Sequence, residues 1–192
     1  MSGIDPFSKG RTVTRTIRID EGYDQVLQEE AARRRVSVNN IMDQLVKKYV
    51  QSWRFFENMS AVTLSDRTLK SILEAVEEDK IREIGRMLGK ERPYELILKR
   101  GLVPSYETAK WFIVDVLTQQ SGWLNASITR NDRKEYIHLS HPFGYKWSLF
   151  LEGYFGVFYR ERLGLNFEVD LFASSITFIF DRREMERAAA RV

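Results

Sequence analysis

Cysteine is absent from this 192-residue chain, and histidine occurs twice, at His138 and His141. The lack of cysteine excludes disulfide bonds, thiolate zinc fingers, iron–sulfur clusters and a cysteine nucleophile. With two histidines, imidazole-based acid–base catalysis and metal binding have few residues to draw on. We therefore expect a protein that is not an enzyme and that holds no cofactor.

Long apolar runs are missing as well. The first seven residues contain no basic stretch followed by an apolar one, so we expect no secretory signal. No segment approaches the roughly 20 apolar residues that a membrane-spanning helix needs. Hydrophobic residues make up 43% and charged residues 30% of the chain, a balance typical of folded proteins. These features predict a cytoplasmic protein without a membrane partner.

The charge balance by itself indicates no particular partner. A net charge of +3 and an isoelectric point near 9.1 are only mildly basic. Binding to nucleic acid therefore has to be argued from where the charges lie along the chain.

A short alternating segment at residues 11–19 predicts a β-strand. One face of this strand is apolar and carries Val13, Ile17 and Ile19. The opposite face, called the outer face below, is polar and carries Thr12, Thr14, Thr16 and Arg18. A lone strand is not stable in water, and two helical patterns follow before any second strand. The strand is therefore expected to pair with a strand of another chain.

Two capped helices are predicted after this strand. Asp20 is a good N-cap for a first helix that ends near Arg34, and Ser37 caps a second helix that runs from Val38 to about Phe56. The first helix has an apolar stripe made of Tyr23, Val26, Leu27 and Ala31. The second has one made of Ile41, Leu45, Val46, Tyr49 and Trp53. Both stripes are expected to face a core.

The order of these elements resembles the ribbon-helix-helix superfamily, which includes the Arc and MetJ repressors. The resemblance is carried by the alternating residues 14–19, by Asp20 and by residues 36–41 at the start of the second helix. In that family, two copies of the strand form an intersubunit two-stranded antiparallel ribbon that enters the major groove of DNA. The resemblance implies a homodimeric or larger transcriptional regulator whose partner is double-stranded DNA.

The resemblance also implies a set of contact residues. Base contacts fall on Thr14, Thr16 and Arg18, and arginine suits this role because it can bond O6 and N7 of guanine together. Phosphate contacts are expected in two groups. The first is the start of the second helix, with the Ser37 hydroxyl and the main-chain amides of Val38 and Asn39. The second is the arginine pair Arg11 and Arg15.

The chain departs from the family pattern at two positions. The family often has glycine between the helices, where the chain needs a positive φ, but here the turn is formed by residues 33–35. We expect Arg35 to adopt that conformation at some energetic cost. In addition, Arg15 stands where an apolar residue often faces the core, so the packed part of the ribbon should begin near Thr16.

The remaining chain is expected to contain a helical region at 61–121 and an α+β domain at 122–181. Residues 57–60 form a connector, and Ser65 and Ser105 are helix caps. In the second part, strands at 124–130 and 135–140, a helix at 145–163 and strands at 166–172 and 176–180 make a ββαββ unit. The complete expectation is an α+β protein with a flexible arm at 1–10, a ribbon-helix-helix domain at 11–56 and a charged tail at 182–192.

The helix predicted at 145–163 is apolar around most of its circumference, which indicates burial on more than one side. It is expected to cover its own sheet and to meet either other helices, a second subunit or a bound ligand. Gly153 and Gly156 allow another backbone to approach closely. The preceding block, residues 139–148, together with the start of the second helix and the Trp53 region, also resembles archaeal proteins with an N-terminal ribbon-helix-helix, a likeness that implies no particular activity.

Alternatives stay open at this stage. An ordinary edge strand followed by a helical hairpin would give similar short patterns. The protein could also be the DNA-binding antitoxin of a toxin–antitoxin pair, or a ligand-binding protein that uses its aromatic C-terminal domain. A regulator of this kind could respond to a small-molecule effector. A metal site at His138 and His141 is disfavoured, because strand positions three apart point to opposite faces.

Overall fold

The computed structural model of the chain describes residues 5–8, 10–56 and 62–189. These residues fall into two compact units, one before and one after the segment 57–61. The predicted connector at 57–60 and part of the predicted arm at 1–10 lie outside the described residues. The fold is α+β, with helices and one antiparallel sheet.

The N-terminal unit consists of an irregular segment followed by two helices. Residues 10–20 form neither helix nor strand within the single chain. Helix α1 spans Glu21–Arg34, and its N-cap Asp20 accepts a hydrogen bond from the amide of Gly22. Helix α2 spans Val38–Lys48 and continues through a π-helical stretch, Tyr49–Trp53, into a last turn, Arg54–Phe56. The predicted helix starts, including the Ser37 cap of α2, are confirmed.

The next helices begin the C-terminal unit. Their bounds are Asp66–Glu74 for α3, Glu78–Gly89 for α4, Arg92–Leu98 for α5 and Tyr106–Trp111 for α6, which continues as a π-helix over Phe112–Gln120. Ser65 and Ser105 are the N-caps of α3 and α6, as predicted, and Ser105 forms a capping box with Thr108. Local hydrogen bonding of the first turn therefore sets these boundaries.

A four-stranded antiparallel sheet and one long helix complete the C-terminal unit. The strands are Asn125–Arg130 (β1), Lys134–Ser140 (β2), Glu168–Phe172 (β3) and Ser175–Asp181 (β4). Their order in the sheet is β1-β2-β4-β3. Helix α7 spans Tyr145–Val157 between the two hairpins and continues as a π-helix over Phe158–Arg162. The predicted ββαββ unit is confirmed. A short helix, α8 (Arg182–Ala189), follows the last strand.

The core of this unit lies around α7. Inward residues of the sheet are fully buried, among them Ile137, Leu139, Ile176, Phe178 and Phe180. Helix α7 packs on this sheet with one side and against α4 with another. The two helices approach so closely that a side chain at Gly85 or Gly89 would collide with main-chain atoms of α7. The other helices, rather than a second subunit or a ligand, thus supply the additional cover for this side of α7.

Candidate nucleic-acid interface

The residues expected to contact DNA bases all lie on the surface. Thr14, Thr16 and Arg18 belong to the irregular segment 10–20, of which every residue is exposed. Arg11 and Arg15 are exposed in the same way. The segment is basic, with three arginines and no carboxylate between positions 11 and 19. An anionic partner would thus meet three cations along this stretch.

No strand in the described part of the chain lies beside residues 11–19, because all pairings of the sheet are among β1 to β4. The segment therefore has strand-forming residues but no partner strand of its own. The intersubunit ribbon stays a prediction. In the single chain, the apolar side chains of Val13, Ile17 and Ile19 are exposed together with the polar outer face.

The apolar stripes of α1 and α2 are also largely uncovered. Tyr23 and Val26 of α1 are 71% and 62% exposed, and four residues of the second stripe are exposed as well: Leu45, Val46, Tyr49 and Trp53. Before the connector, the buried apolar side chains that the structure describes are those of Ala31, Ile41 and Phe55. The prediction that these stripes face a core is thus not fulfilled by one chain. Such a small buried set cannot hold a unit of this size together by itself.

The two helix starts of this unit differ in charge. Helix α1 begins with Asp20, Glu21 and Asp24, which already place negative charge at its N-terminus. The first turn of α2 holds no acidic residue, and its cap is the neutral hydroxyl of Ser37, which accepts from the Asn40 amide at 3.1 Å. The amides of Val38 and Asn39 belong to this first turn, where a helix offers no internal acceptor. An anion is therefore compatible with the start of α2 and incompatible with that of α1.

The turn between α1 and α2 connects the end of one helix to the cap of the next. Arg35 has φ 56° and ψ 42°, the left-handed conformation that was predicted for it, and its amide bonds to carbonyls in the last turn of α1. Arg33 and Arg34 both bond to Glu30 and lower the pKa of its carboxyl to about 2. The two arginines are thus held on α1, while Arg35 places Ser37 in extended conformation at the start of α2.

The two histidines do not form a joint site. The Nδ1 atom of His138 lies 2.9 Å from the Thr177 hydroxyl on the exposed side of the sheet. His141 is buried, and its Nε2 lies 2.9 Å from the hydroxyl of Ser148 on α7. No group of three potential metal ligands occurs among the residues that the structure describes. In the same part of the chain, every helix is too short or too polar to span a bilayer.

A buried ionisable cluster lies elsewhere in the C-terminal unit. The Glu135 carboxylate on β2 accepts from the Tyr106 hydroxyl at 3.0 Å and pairs with Lys110 at 3.2 Å. Burial raises the pKa of the Tyr106 hydroxyl, with the Glu135 charge acting in the same direction. These contacts attach α6 to the sheet, so we assign the cluster a structural role.

Comparisons with known proteins place the chain in no family. No family model matches it, and neither the curated proteins nor the solved structures contain a significant match. The argument for a function therefore depends on the residues and contacts described above.

Proposed function

We propose that the protein is a homodimeric, sequence-specific transcriptional regulator that reads the major groove of DNA with a β-ribbon. The ribbon is formed by residues 11–19 of two chains. The observation that carries this proposal is the uncovered apolar surface of the N-terminal unit, on a segment that has strand-forming residues and no strand partner in its own chain.

The exposed surface supports association with a second copy. Val13, Ile17 and Ile19 on the segment, and the exposed members of the two helix stripes, are large apolar side chains in water. A two-fold pairing of the segment supplies the missing strand and covers these side chains in one step, because a two-fold interface brings the same surface of both subunits together.

The polar side supports DNA as the partner. Pairing through the backbone leaves the outer face, with Thr14, Thr16 and Arg18, directed away from the helices. A two-stranded ribbon fits the major groove, where arginine and threonine can bond to base edges. Arg11 and Arg15 add positive charge without base selectivity.

The start of α2 supports a second kind of contact. Its first turn has no acidic residue, so the amides of Val38 and Asn39 and the Ser37 hydroxyl are uncharged groups that could donate hydrogen bonds to an anion. A phosphate bound there would orient the ribbon relative to the duplex, because phosphate contacts set the register of a protein on DNA while base contacts select the sequence.

The proposal is tested by binding of the purified protein to the DNA upstream of its own gene and to an unrelated duplex of equal length, at several salt concentrations. We expect tighter binding to the upstream DNA, and a preference that persists as salt is raised. Equal, weak binding to both duplexes that disappears with salt would leave non-specific charge attraction and would overturn the proposal.

A substitution of Arg18 tests base reading. Arg18→Ala should reduce the preference for one base position by about 1–3 kcal/mol and leave the dimer folded, since the side chain lies on the outer face. Arg33→Ala is the matched control, because Arg33 is an exposed arginine engaged by Glu30 on α1. The measurement is binding to a set of operators that carry single base changes. Unchanged selectivity of the Arg18 variant would contradict base reading by this residue.

A further inference from the structure

A groove of about 320 Å³ lies on the surface of the C-terminal unit, between α4 and the second half of α7. Arg86 of α4 forms one side, and Arg160, in the π-helical continuation of α7, forms another. Gly153 and Gly156 also line the groove, together with Glu152 and Glu161. Its volume is at the lower end of the range for small-molecule pockets.

Backbone contact between the helices positions Arg86. A Cβ atom on Gly153 would lie 2.9 Å from the amide nitrogen of Arg86 and 2.6 Å from the carbonyl oxygen of Arg82. Both distances are too short for a side chain, so glycine is needed here for the two helices to meet. The main chain of Arg86 is thereby held directly against α7.

The guanidinium group of Arg160 is held by an aromatic side chain that packs on the core. Its guanidinium carbon lies 4.1 Å from the centre of the Phe167 ring, and that ring packs 5.2 Å from the ring of Phe178 in the core. Stacking on an aromatic face restrains a guanidinium while its N–H edge stays available for hydrogen bonds. Gly156 lies one turn before Arg160 and faces the same ring, since a Cβ atom on it would lie 3.3 Å from Cζ of Phe167.

The charges around the groove leave the two arginines without a carboxylate. Glu152 is paired with Arg82 at 2.8 Å, and Glu161 with Lys90 at 3.8 Å. The ion pairs among the described residues include neither Arg86 nor Arg160. The two acidic groups of the groove thus have cationic partners of their own, and Arg86 and Arg160 stay available to an anion.

We propose that this groove binds the oxyanion of a small molecule, a phosphate or a carboxylate, between Arg86 and Arg160. Guanidinium groups present paired N–H donors that match the oxygens of such groups. This binding function belongs to the C-terminal unit and does not depend on DNA binding by the N-terminal one.

The proposal is tested by titrating the full chain with inorganic phosphate, and separately with succinate, while amide chemical shifts are followed by NMR at constant ionic strength in chloride. We expect saturable shifts at the amides of Gly153 and Gly156. A response to phosphate alone indicates a phosphate-bearing ligand, and a response to succinate indicates a carboxylate. No saturable shift with either anion would overturn the proposal.

Substitutions locate the site. Arg86→Gln and Arg160→Gln should each weaken anion binding about tenfold or more, because each removes charged hydrogen-bond donors. Arg133→Gln, at an exposed arginine of the β1–β2 turn, is the control and should bind as the parent does. Since Arg86 is exposed, its variant should unfold at the parent's temperature without anion. Binding of parental strength in both groove variants would contradict the assignment.

Discussion

Arg35 shows how one residue determines the geometry between two helices. It is the one described non-glycine residue with a positive φ, and its amide closes the end of α1. The departure from glycine at this turn was visible in the sequence, and so was the conformation that the position requires. The left-handed conformation costs an arginine about 1–2 kcal/mol relative to a right-handed one.

Arg35→Gly should therefore stabilise the N-terminal unit by about 1 kcal/mol or less, since glycine adopts this conformation freely but gains entropy in the unfolded chain. Arg33→Gly is the control with the opposite sign, because it places glycine in the last turn of α1 and removes the pair with Glu30, and both changes lower stability. Thermal unfolding followed by circular dichroism compares the two. A loss of stability in both variants would mean that the Arg35 side chain contributes more than its backbone costs.

His141 is a second residue with a defined energetic role. The Ser148 hydroxyl donates to the carbonyl of Phe172 at 2.8 Å, so it accepts from Nε2–H of His141. The Nδ1 atom accepts from the Phe143 amide at 3.4 Å and therefore carries no proton, so the imidazole is neutral. Burial lowers the pKa of His141 from 6.5 to about 4. The unfolded chain takes up a proton below pH 6.5 and the folded chain does not. The contribution to stability is thus complete above pH 6.5 and is lost as the pH falls toward 4.

His141→Gln should show less decline in unfolding free energy between pH 6.5 and pH 4 than the parent, since glutamine cannot take up this proton. The measurement is urea unfolding at a series of pH values. His138→Gln is the control: it leaves the buried imidazole of His141 in place, so the unfolding free energy should decline with falling pH as it does in the parent. An identical pH profile for the His141 variant and the parent would contradict the linkage.

At the scale of elements, the contact between α4 and α7 restricts which residue types can stand on α4. A Cβ atom on Gly89 would collide with the main-chain carbonyl of Tyr154, and one on Gly85 with that of Phe150. The helices can therefore adopt this separation only with glycine at these positions. Main-chain atoms cannot rotate away as a flexible side chain would.

Gly89→Ala should destabilise the C-terminal unit by at least about 2 kcal/mol, because relief of the overlap requires the helices to separate. Gly10→Ala, where a Cβ atom would meet nothing within 4 Å, is the control and should leave this unit unchanged. Hydrogen exchange of the α4 and α7 amides measures the difference within the full chain. Unchanged protection in the Gly89 variant would show that the helix contact is looser than these atoms indicate.

Most elements were predictable because local signals define them. Asp20, Ser37, Ser65 and Ser105 each cap the helix that the sequence predicted for them, and alternation located the four strands to within a few residues. The π-helical continuations of α2, α6 and α7 were not predicted. A π-helical turn shifts hydrogen bonds by one residue without changing the apolar pattern that marks a helix.

For the whole molecule, the property to test is the association that we propose for the N-terminal unit. Ile17→Asp should weaken the dimer at least about a hundredfold, because each subunit would bring an unpaired carboxylate into the shared core. Thr16→Asp is the matched control on the neighbouring, outward position; it should keep the dimer and lose DNA binding. Sedimentation at several protein concentrations measures dimer formation. A monomeric parent, or a fully dimeric Ile17 variant, would contradict the proposed assembly.

The candidate contact residues could be assigned from sequence because they depend on a strand of alternating residues and on one helix cap, both local features. Their role stays a prediction, because every residue of this segment is exposed and pairing of the ribbon requires a second chain. Arg86 and Arg160 could not be found in this way. The spacing of Gly153 and Gly156 indicated a close approach of another backbone, but not which helix would supply it.

The sequence by itself determined where the capped helices begin, where the four strands of the sheet lie, which faces are apolar, and that Arg35 takes a left-handed turn. Each of these follows from interactions within a few residues of the chain. Tertiary structure alone decided that α4 covers α7, that Arg86 and Arg160 line one groove, and that a single chain leaves the stripes of α1 and α2 exposed. These outcomes depend on atoms far apart in the sequence, whose contact is set by shape and volume in three dimensions.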